Sequence, residues 1–220
     1  MEKFIKLKDY SKIPEEDMLV KSEIFNLLMQ KRRTIREFSS EKINRDVILN
    51  CIKAAGSAPS GANKQPWHFV VVTDEQTKSK IRKDAEKEEN EFYGGKAPDE
   101  WIKDLEPFDT NELKPFLEEA PCLIVIFEEK YRIDNNNDQH KNYYTKESVG
   151  IATGMLITAL HNAGLATLTH TPSPMTFLNK ILNRPQNEKP FLLLVVGFPK
   201  DDVEVPNIKR KSLNEITTII

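Results

Sequence analysis

The stretch Lys31–Phe38, KRRTIREF, places three guanidinium groups and one hydroxyl within five consecutive residues. Such groups can donate hydrogen bonds to a phosphate and to the electron-rich edge of a ring cofactor. Short basic clusters are also common on solvated protein surfaces. By itself, KRRTIREF is therefore compatible with a ligand-binding turn and with a solvated basic turn. The residues on either side decide between them and point to the fold.

The size and composition of the chain are those of a globular protein. It has 220 residues and a mass of 25.3 kDa, which suits one domain (1–220) that buries a core without disulfides or metals. The 32 basic and 34 acidic residues nearly cancel, so no global field attracts nucleic acid. Cys51 and Cys122 form no CxxC motif, and we expect two buried free thiols.

The start of the chain, residues 1–17, is charged and lacks the apolar core of a signal peptide. The longest apolar runs elsewhere are too short to span a bilayer. We therefore expect a protein without a membrane or nucleic-acid partner that works in the cytoplasm.

Apolar periodicity predicts three helices. Residues 21–30 carry apolar side chains at near-helical spacing, and their helix would end at the basic turn. A second helix can be capped by Asn44 or Asp46 and ends near Gly56. The pattern recurs over residues 145–163.

Three short runs rich in β-branched residues predict strands, namely His68–Thr73, Pro121–Phe127 and Phe191–Gly197. Because these runs are continuously apolar, we expect central strands covered on both faces. Strands and helices together indicate an α+β domain. The least regular region lies between the first two strands and is rich in charge, glycine and proline, and we interpret residues 83–115 as a lid.

The loop Ala58–Trp67, APSGANKQPW, combines small residues with two amide side chains. Small residues let backbone amides approach a ligand, and amide side chains add directional hydrogen bonds. The loop could equally be a turn that leads into a strand. However, an Arg-Arg-Thr-x-Arg turn, a helix, PSGAxxxPW, a strand and a late basic segment, in this order, resemble the nitroreductase superfamily of FMN enzymes. The resemblance implies a nitroreductase-like fold with a central mixed, mainly antiparallel sheet flanked by helices, in a domain-swapped homodimer.

Within that superfamily the chain resembles the iodotyrosine deiodinase family, through RRTIR, APSGANKQPW, EKEENEFY, THTP and PNIKRK. The resemblance implies that Arg36 faces the N1/O2 edge of the flavin, where a cation stabilises the reduced form. It also implies that the Thr171 hydroxyl binds flavin N5 and favours one-electron steps, which makes Thr171 the catalytic residue. The residues implied to contact FMN are Arg32, Arg33, Thr34, Ile35, Arg36, Pro59, Ser60, Gly61, Thr169, His170, Thr171 and Arg210.

The same resemblance implies that Glu89, Tyr93 and Lys114 hold the zwitterion of an amino-acid substrate, with the backbone N–H of Ala62 on the substrate phenolate. The spacing gives independent support, because Glu89 and Tyr93 are four residues apart and share one face of a helix. An anion, a phenol and a cation are what an ammonium and a carboxylate require. From charge pattern alone, the segment would be a solvated charged helix.

The implied activity is FMN-dependent reductive dehalogenation of halogenated tyrosines, from iodotyrosine to tyrosine and iodide, with NAD(P)H or a reductase as electron source. One alternative is a general FMN nitroreductase for nitroaromatics or quinones, which shares the flavin contacts and not the substrate residues. A non-catalytic flavin or amino-acid sensor is another. The histidines lack metal-ligand spacing, and no GxSxG or HExxH motif occurs, so we predict no metal site.

Overall fold

The computed structural model describes residues 3–8 and 10–220. The chain forms two compact units, Met1–Arg32 and Arg33–Ile220. The first unit contains helix α1 (Glu15–Gln30), which begins before the apolar repeat used to predict it because Glu15, Glu16 and Asp17 stabilise its first turn. No residue of α1 is buried. Its exposed apolar side chains are Met18, Leu19, Val20, Ile24, Phe25 and Leu27.

The second unit contains the remaining elements. Its helices are α2 (Arg45–Gly56), α3 (Glu75–Glu91), α4 (Asp99–Leu105), α5 (Phe116–Glu119), α6 (Thr145–Asn162), α7 (Phe177–Ile181) and α8 (Leu213–Ile216). Its strands are β1 (Trp67–Val72), β2 (Cys122–Glu129), β3 (Tyr131–Ile133), β4 (Gln139–Lys141), β5 (Ala166–His170) and β6 (Glu188–Gly197). The main sheet has the order β1-β2-β6-β5 with antiparallel neighbours, and β3 pairs with β4.

The central strand β2 is covered on both faces, as its continuous apolar sequence predicts. Leu123, Val125 and Phe127 point into one hydrophobic cluster. Ile124 and Ile126 point into the cluster on the opposite face, in keeping with the two-residue period of a strand. The predicted α+β architecture is therefore confirmed.

Residues 34–38 of the KRRTIREF segment lie along the edge of the sheet. Thr34 makes an isolated parallel bridge with Thr167 of β5, and the Ile35 amide donates to the Thr167 carbonyl at 3.3 Å. The Ser39 amide donates to the carbonyl of Phe198, just after β6, at 2.9 Å. The parallel bridge beside antiparallel strands matches the predicted mixed, mainly antiparallel character.

Some of the remaining sequence predictions agree with the structure and others do not. Asn44 caps α2 by accepting from the Asp46 amide at 2.8 Å, whereas Asp46 lies inside the helix. Both cysteines are buried free thiols, and burial raises the pKa of Cys122 to about 12. Strand β5 was not predicted, because its sequence ATLTH alternates polar and apolar residues. No helix among the described residues is long and apolar enough to cross a membrane.

Candidate functional site

The lid segment 83–115 is more regular than its sequence indicates. Helix α3 begins at Glu75, where Asp74 caps it by accepting from the Thr77 amide at 2.7 Å. The helix continues to Glu91 and widens into the turn Phe92–Lys96. Helix α4 and a short 3-10 turn then lead to Lys114. Many of the charged residues of this region are therefore helical.

The three predicted substrate residues meet in this segment. The Lys114 ammonium lies 3.2 Å from a carboxylate oxygen of Glu89, with side-chain exposures of only 4% and 14%. The same ammonium lies 5.4 Å from the ring centroid of Tyr93. Lys114 also donates to the carbonyl of Asn111 and to the Thr110 hydroxyl. A half-buried anion, a buried cation and a phenol are thus held together, with opposite charges paired.

Tyr93 is placed to act as a neutral hydrogen-bonding group. Burial raises the pKa of Tyr93, and the nearby carboxylates of Glu89 and Glu112 act in the same direction. A hydrogen bond with Thr110 and the charge of Arg36 oppose that rise. The phenol therefore keeps its proton at neutral pH and remains both donor and acceptor.

Arg36 joins the KRRTIREF segment to the lid. Its guanidinium lies 5.4 Å from the ring centroid of Phe108, a cation–π distance. Burial lowers the pKa of Arg36, but an arginine in a protein stays protonated. The residue predicted to face the flavin edge therefore contacts the same segment that carries the predicted substrate residues.

His170, the last residue of β5, is buried beside this cluster. Its Nε2 atom has no hydrogen-bond partner within the described part of the chain. Its ring packs edge-on against Phe116, with centroids 5.6 Å apart. Burial, and secondarily the charge of Lys114, lowers the pKa of His170 to about 3, so the imidazole is neutral at physiological pH. Thr169 and His170 thus belong to a strand, and only Thr171 follows it, exposed, in the expected turn.

Some of the residues predicted to contact FMN lie close to one another. The Arg33 guanidinium donates to the carbonyl of Pro206, which draws the PNIKRK tail towards KRRTIREF. Thr34 and Arg36 are half-buried, Ile35 is buried, and Arg210 is exposed. Arg32 ends the first unit and is half-buried.

The APSGANKQPW loop has other neighbours. The Ser60 hydroxyl accepts from the Gln65 amide at 2.9 Å, and Ala62 adopts a left-handed conformation with φ of 50°. Gly61 is required because a Cβ there would lie 2.8 Å from the Tyr144 ring. Pro59 is exposed. The loop therefore packs against residues 143–144 rather than against the Arg36 and Lys114 cluster.

This donor set suits FMN. Arg33 and Arg36 supply fixed cations, Thr34 supplies a hydroxyl between them, and the buried Nε2 of His170 is an unused polar atom within the described residues. Cations with neighbouring hydroxyls are what a phosphate and an electron-rich ring edge need. Within the described residues, no group of three or more His, Cys, Asp and Glu side chains is arranged to hold a metal ion.

The sequence prediction did not include Phe108, Thr110 and Phe116, which contact Arg36, Tyr93 and His170 respectively. No sequence signal marked them, because isolated aromatic and hydroxyl residues in a charged region have no distinguishing pattern. Their role emerges only from the way the lid folds back on β5.

Comparison with known proteins places this arrangement in a family. The family model described as "Nitroreductase family" matches residues 29–198. An iodotyrosine deiodinase from Haliscomenobacter hydrossis is 56% identical over 89% of this chain and 88% of that protein. One from Nematostella vectensis is 44% identical over 96% of this chain and 80% of that protein.

A solved structure, an oxidised iodotyrosine deiodinase bound to FMN and 3-iodo-L-tyrosine, superposes with a TM-score of 0.75 at 33% identity. The match covers 89% of this chain and 100% of that one. The matched residues span KRRTIREF, the lid and every strand of the main sheet. This chain belongs to the nitroreductase family, and its relatives there include iodotyrosine deiodinases.

Proposed function

We propose that the protein is an FMN-dependent reductive dehalogenase of halogenated tyrosines, which converts iodotyrosine to tyrosine and iodide. The observation that carries the proposal is the pair of buried Lys114 and half-buried Glu89 beside Tyr93, in a segment whose Phe108 contacts Arg36. A general nitroreductase has no need of a buried ion pair matched to an amino acid. The iodotyrosine deiodinase relatives and the structure with bound 3-iodo-L-tyrosine support the assignment.

FMN would be held by the cationic and hydroxyl groups of the KRRTIREF segment, the APSGANKQPW loop and the tail. The proposed contacts are Arg33, Thr34, Ile35, Arg36, Pro59, Ser60, Gly61, Thr169, His170, Thr171 and Arg210, and Arg32 stays a prediction. When bound, FMN supplies the electrons for removal of the halogen. Arg36 contributes a cation that favours added negative charge nearby. NAD(P)H or a reductase is the proposed electron source.

Glu89, Tyr93 and Lys114 would recognise the zwitterion of the substrate, and the Ala62 amide would bind its phenolate. Each charge of the Lys114–Glu89 pair can exchange its partner for the opposite charge of the amino acid, so neither is left unpaired when the ligand enters. The remainder of residues 83–115 would act as the lid, which excludes water from the reacting ring.

Ligand discrimination tests this assignment. Titration of the FMN-loaded protein, followed by quenching of flavin fluorescence, should show 3-iodo-L-tyrosine binding at least about a hundredfold more tightly than 2-iodophenol, because only the amino acid engages the buried pair. In steady-state turnover, iodotyrosine should also be preferred over a nitroaromatic. Equal affinity for the two iodinated ligands, with faster reduction of the nitroaromatic, would identify a general nitroreductase instead.

Thr171 is proposed to form a hydrogen bond with N5 of FMN through its hydroxyl and so favour single-electron transfer. Thr171→Ala should lower the rate of halide release about tenfold, the effect of one hydrogen bond, while two-electron reduction of a nitroaromatic changes little. Thr171→Ser keeps the hydroxyl and should retain most of the halide release. Equal losses of both activities in Thr171→Ala would argue against this role.

The active form is proposed to be a homodimer. The apolar side chains of α1 are exposed, as are Ile216, Ile219 and Ile220 near the C-terminus. Within each unit, clusters of exposed apolar side chains such as these are typical of protein interfaces. Light scattering coupled to size-exclusion chromatography should give twice the chain mass of 25.3 kDa, and a mass of one chain at micromolar concentration would contradict it.

A further inference from the structure

His170 is a buried polar residue that the proposed function treats only as one of the contacts of FMN. It is 8% exposed, and its Nε2 atom has no hydrogen-bond partner within residues 3–8 and 10–220. A buried polar atom without a partner destabilises the folded state, and an apolar side chain of the same shape would avoid that cost. Packing alone therefore does not explain an imidazole at this position.

The surroundings of His170 connect two parts of the proposed site. Its ring contacts Phe116, which begins α5 only two residues after Lys114. The charge of Lys114 acts on the imidazole strongly enough to contribute to its lowered pKa. On the other side, His170 ends β5 and is bonded directly to Thr171. The imidazole thus lies between the zwitterion-binding end of the lid and the residue proposed to contact FMN.

The strand that carries His170 also touches the KRRTIREF segment. Thr167 of β5 bridges Thr34 and accepts from the Ile35 amide. A displacement of β5 is therefore opposed both by these backbone contacts and by the packing of His170 against Phe116. Interiors packed in this way transmit small shifts between neighbouring residues.

We propose that His170 is a positioning residue that couples Lys114 of the lid and Phe116 of α5 to the turn at Thr171, so that zwitterion binding and the placement of Thr171 depend on each other. The unpartnered Nε2 is the atom free to form a hydrogen bond when the surroundings of Lys114 change on ligand binding. The neutral imidazole leaves the positive charge of Lys114 available to the substrate carboxylate. This inference rests on the proposed function for the identity of the ligand.

A double-mutant cycle on the FMN-loaded protein tests the coupling. His170→Leu should weaken 3-iodo-L-tyrosine binding about five- to tenfold in the wild-type background and less than about twofold in Lys114→Met, because contacting residues have non-additive effects. Val195→Ala is the matched control, since it also removes buried volume from the same hydrophobic cluster. Its effect should be the same in both backgrounds. A His170→Leu effect that is absent, or equal in the two backgrounds, overturns the proposal.

Two further readouts keep the proposal testable if His170→Leu folds poorly or if halotyrosine does not bind. In wild-type protein, the ring nitrogen signals of His170 in long-range 1H–15N spectra should shift when 3-iodo-L-tyrosine is added, and unchanged signals despite binding overturn the proposal. Without any halotyrosine, residues 110–119 should exchange amide hydrogens faster in His170→Leu, or in His170→Gln, than in Val195→Ala. Failure of the wild type to bind halotyrosine contradicts the proposed function, whereas unchanged exchange at 110–119 contradicts the role of His170.

Discussion

Replacing Lys114 by methionine is expected to weaken halotyrosine binding about a hundredfold, the usual loss when one partner of a buried charge pair is removed. The methionine keeps most of the length of the side chain and removes its charge. The carboxylate of the amino acid would then enter a buried site with no cation, and Glu89 would lose its partner at 3.2 Å. Flavin fluorescence quenching by 3-iodo-L-tyrosine measures the change directly.

The matched control is Lys103→Met, which removes an exposed lysine from α4 of the same segment. It should leave the affinity within about twofold of the wild-type value, because exposed charges contribute little. Glu89→Gln should weaken binding of the amino acid without loss of FMN. If Lys114→Met and Lys103→Met bind 3-iodo-L-tyrosine equally well, the zwitterion site has been assigned to the wrong residues.

The second large effect is expected at Arg36. Arg36→Gln should make the midpoint potential of the bound flavin more negative by about 30 to 60 mV, which corresponds to a tenfold to hundredfold loss of preference for the two-electron-reduced form. The reason is the loss of a half-buried cation that favours negative charge in its neighbourhood. Dithionite titration against a reference dye gives the potential.

Arg45→Gln is the control for that measurement, because Arg45 is an exposed arginine at the start of α2. Its potential should equal that of the wild type. Arg36→Lys keeps a cation without the planar fork of donors, and it should give an intermediate value. If the midpoint potential of Arg36→Gln equals that of the wild type, Arg36 does not act on the flavin. Its contact with Phe108 would then be its only role in this account.

Local sequence patterns were sufficient to predict the central strands of the sheet. Continuous apolar runs predict β2 and β6, which lie in the middle of the sheet, where composition and structure agree. They also predict β1, but β1 is an edge strand that is only partly buried rather than a central strand covered on both faces. Three of the five residues of β5 are polar, and its exposed residue is Thr169. A strand whose pairing is set by distant residues carries little local signal.

The proposed site, too, could be predicted only in part from local sequence. The four-residue spacing of Glu89 and Tyr93 predicts a shared face of one helix, but Tyr93 lies in the turn that follows α3, and both side chains lie near the Lys114 ammonium. The approach of Lys114 to Glu89 depends on the path of the chain through α4 and its flanking turns, which no short-range pattern encodes. The contacts of Arg36 with Phe108 and of His170 with Phe116 likewise require the folded lid.

The central claim is that the protein removes the halogen from halogenated tyrosines. Anaerobic halide release tests this claim most directly. The FMN-loaded protein would be reduced with dithionite and given iodo-, bromo- or chlorotyrosine, and halide and tyrosine would be measured at each time point. The account predicts equal amounts of iodide and tyrosine from iodotyrosine, with release that depends on Lys114. Tight binding of iodotyrosine without release of iodide would contradict it and would indicate a protein that senses the amino acid rather than one that dehalogenates it.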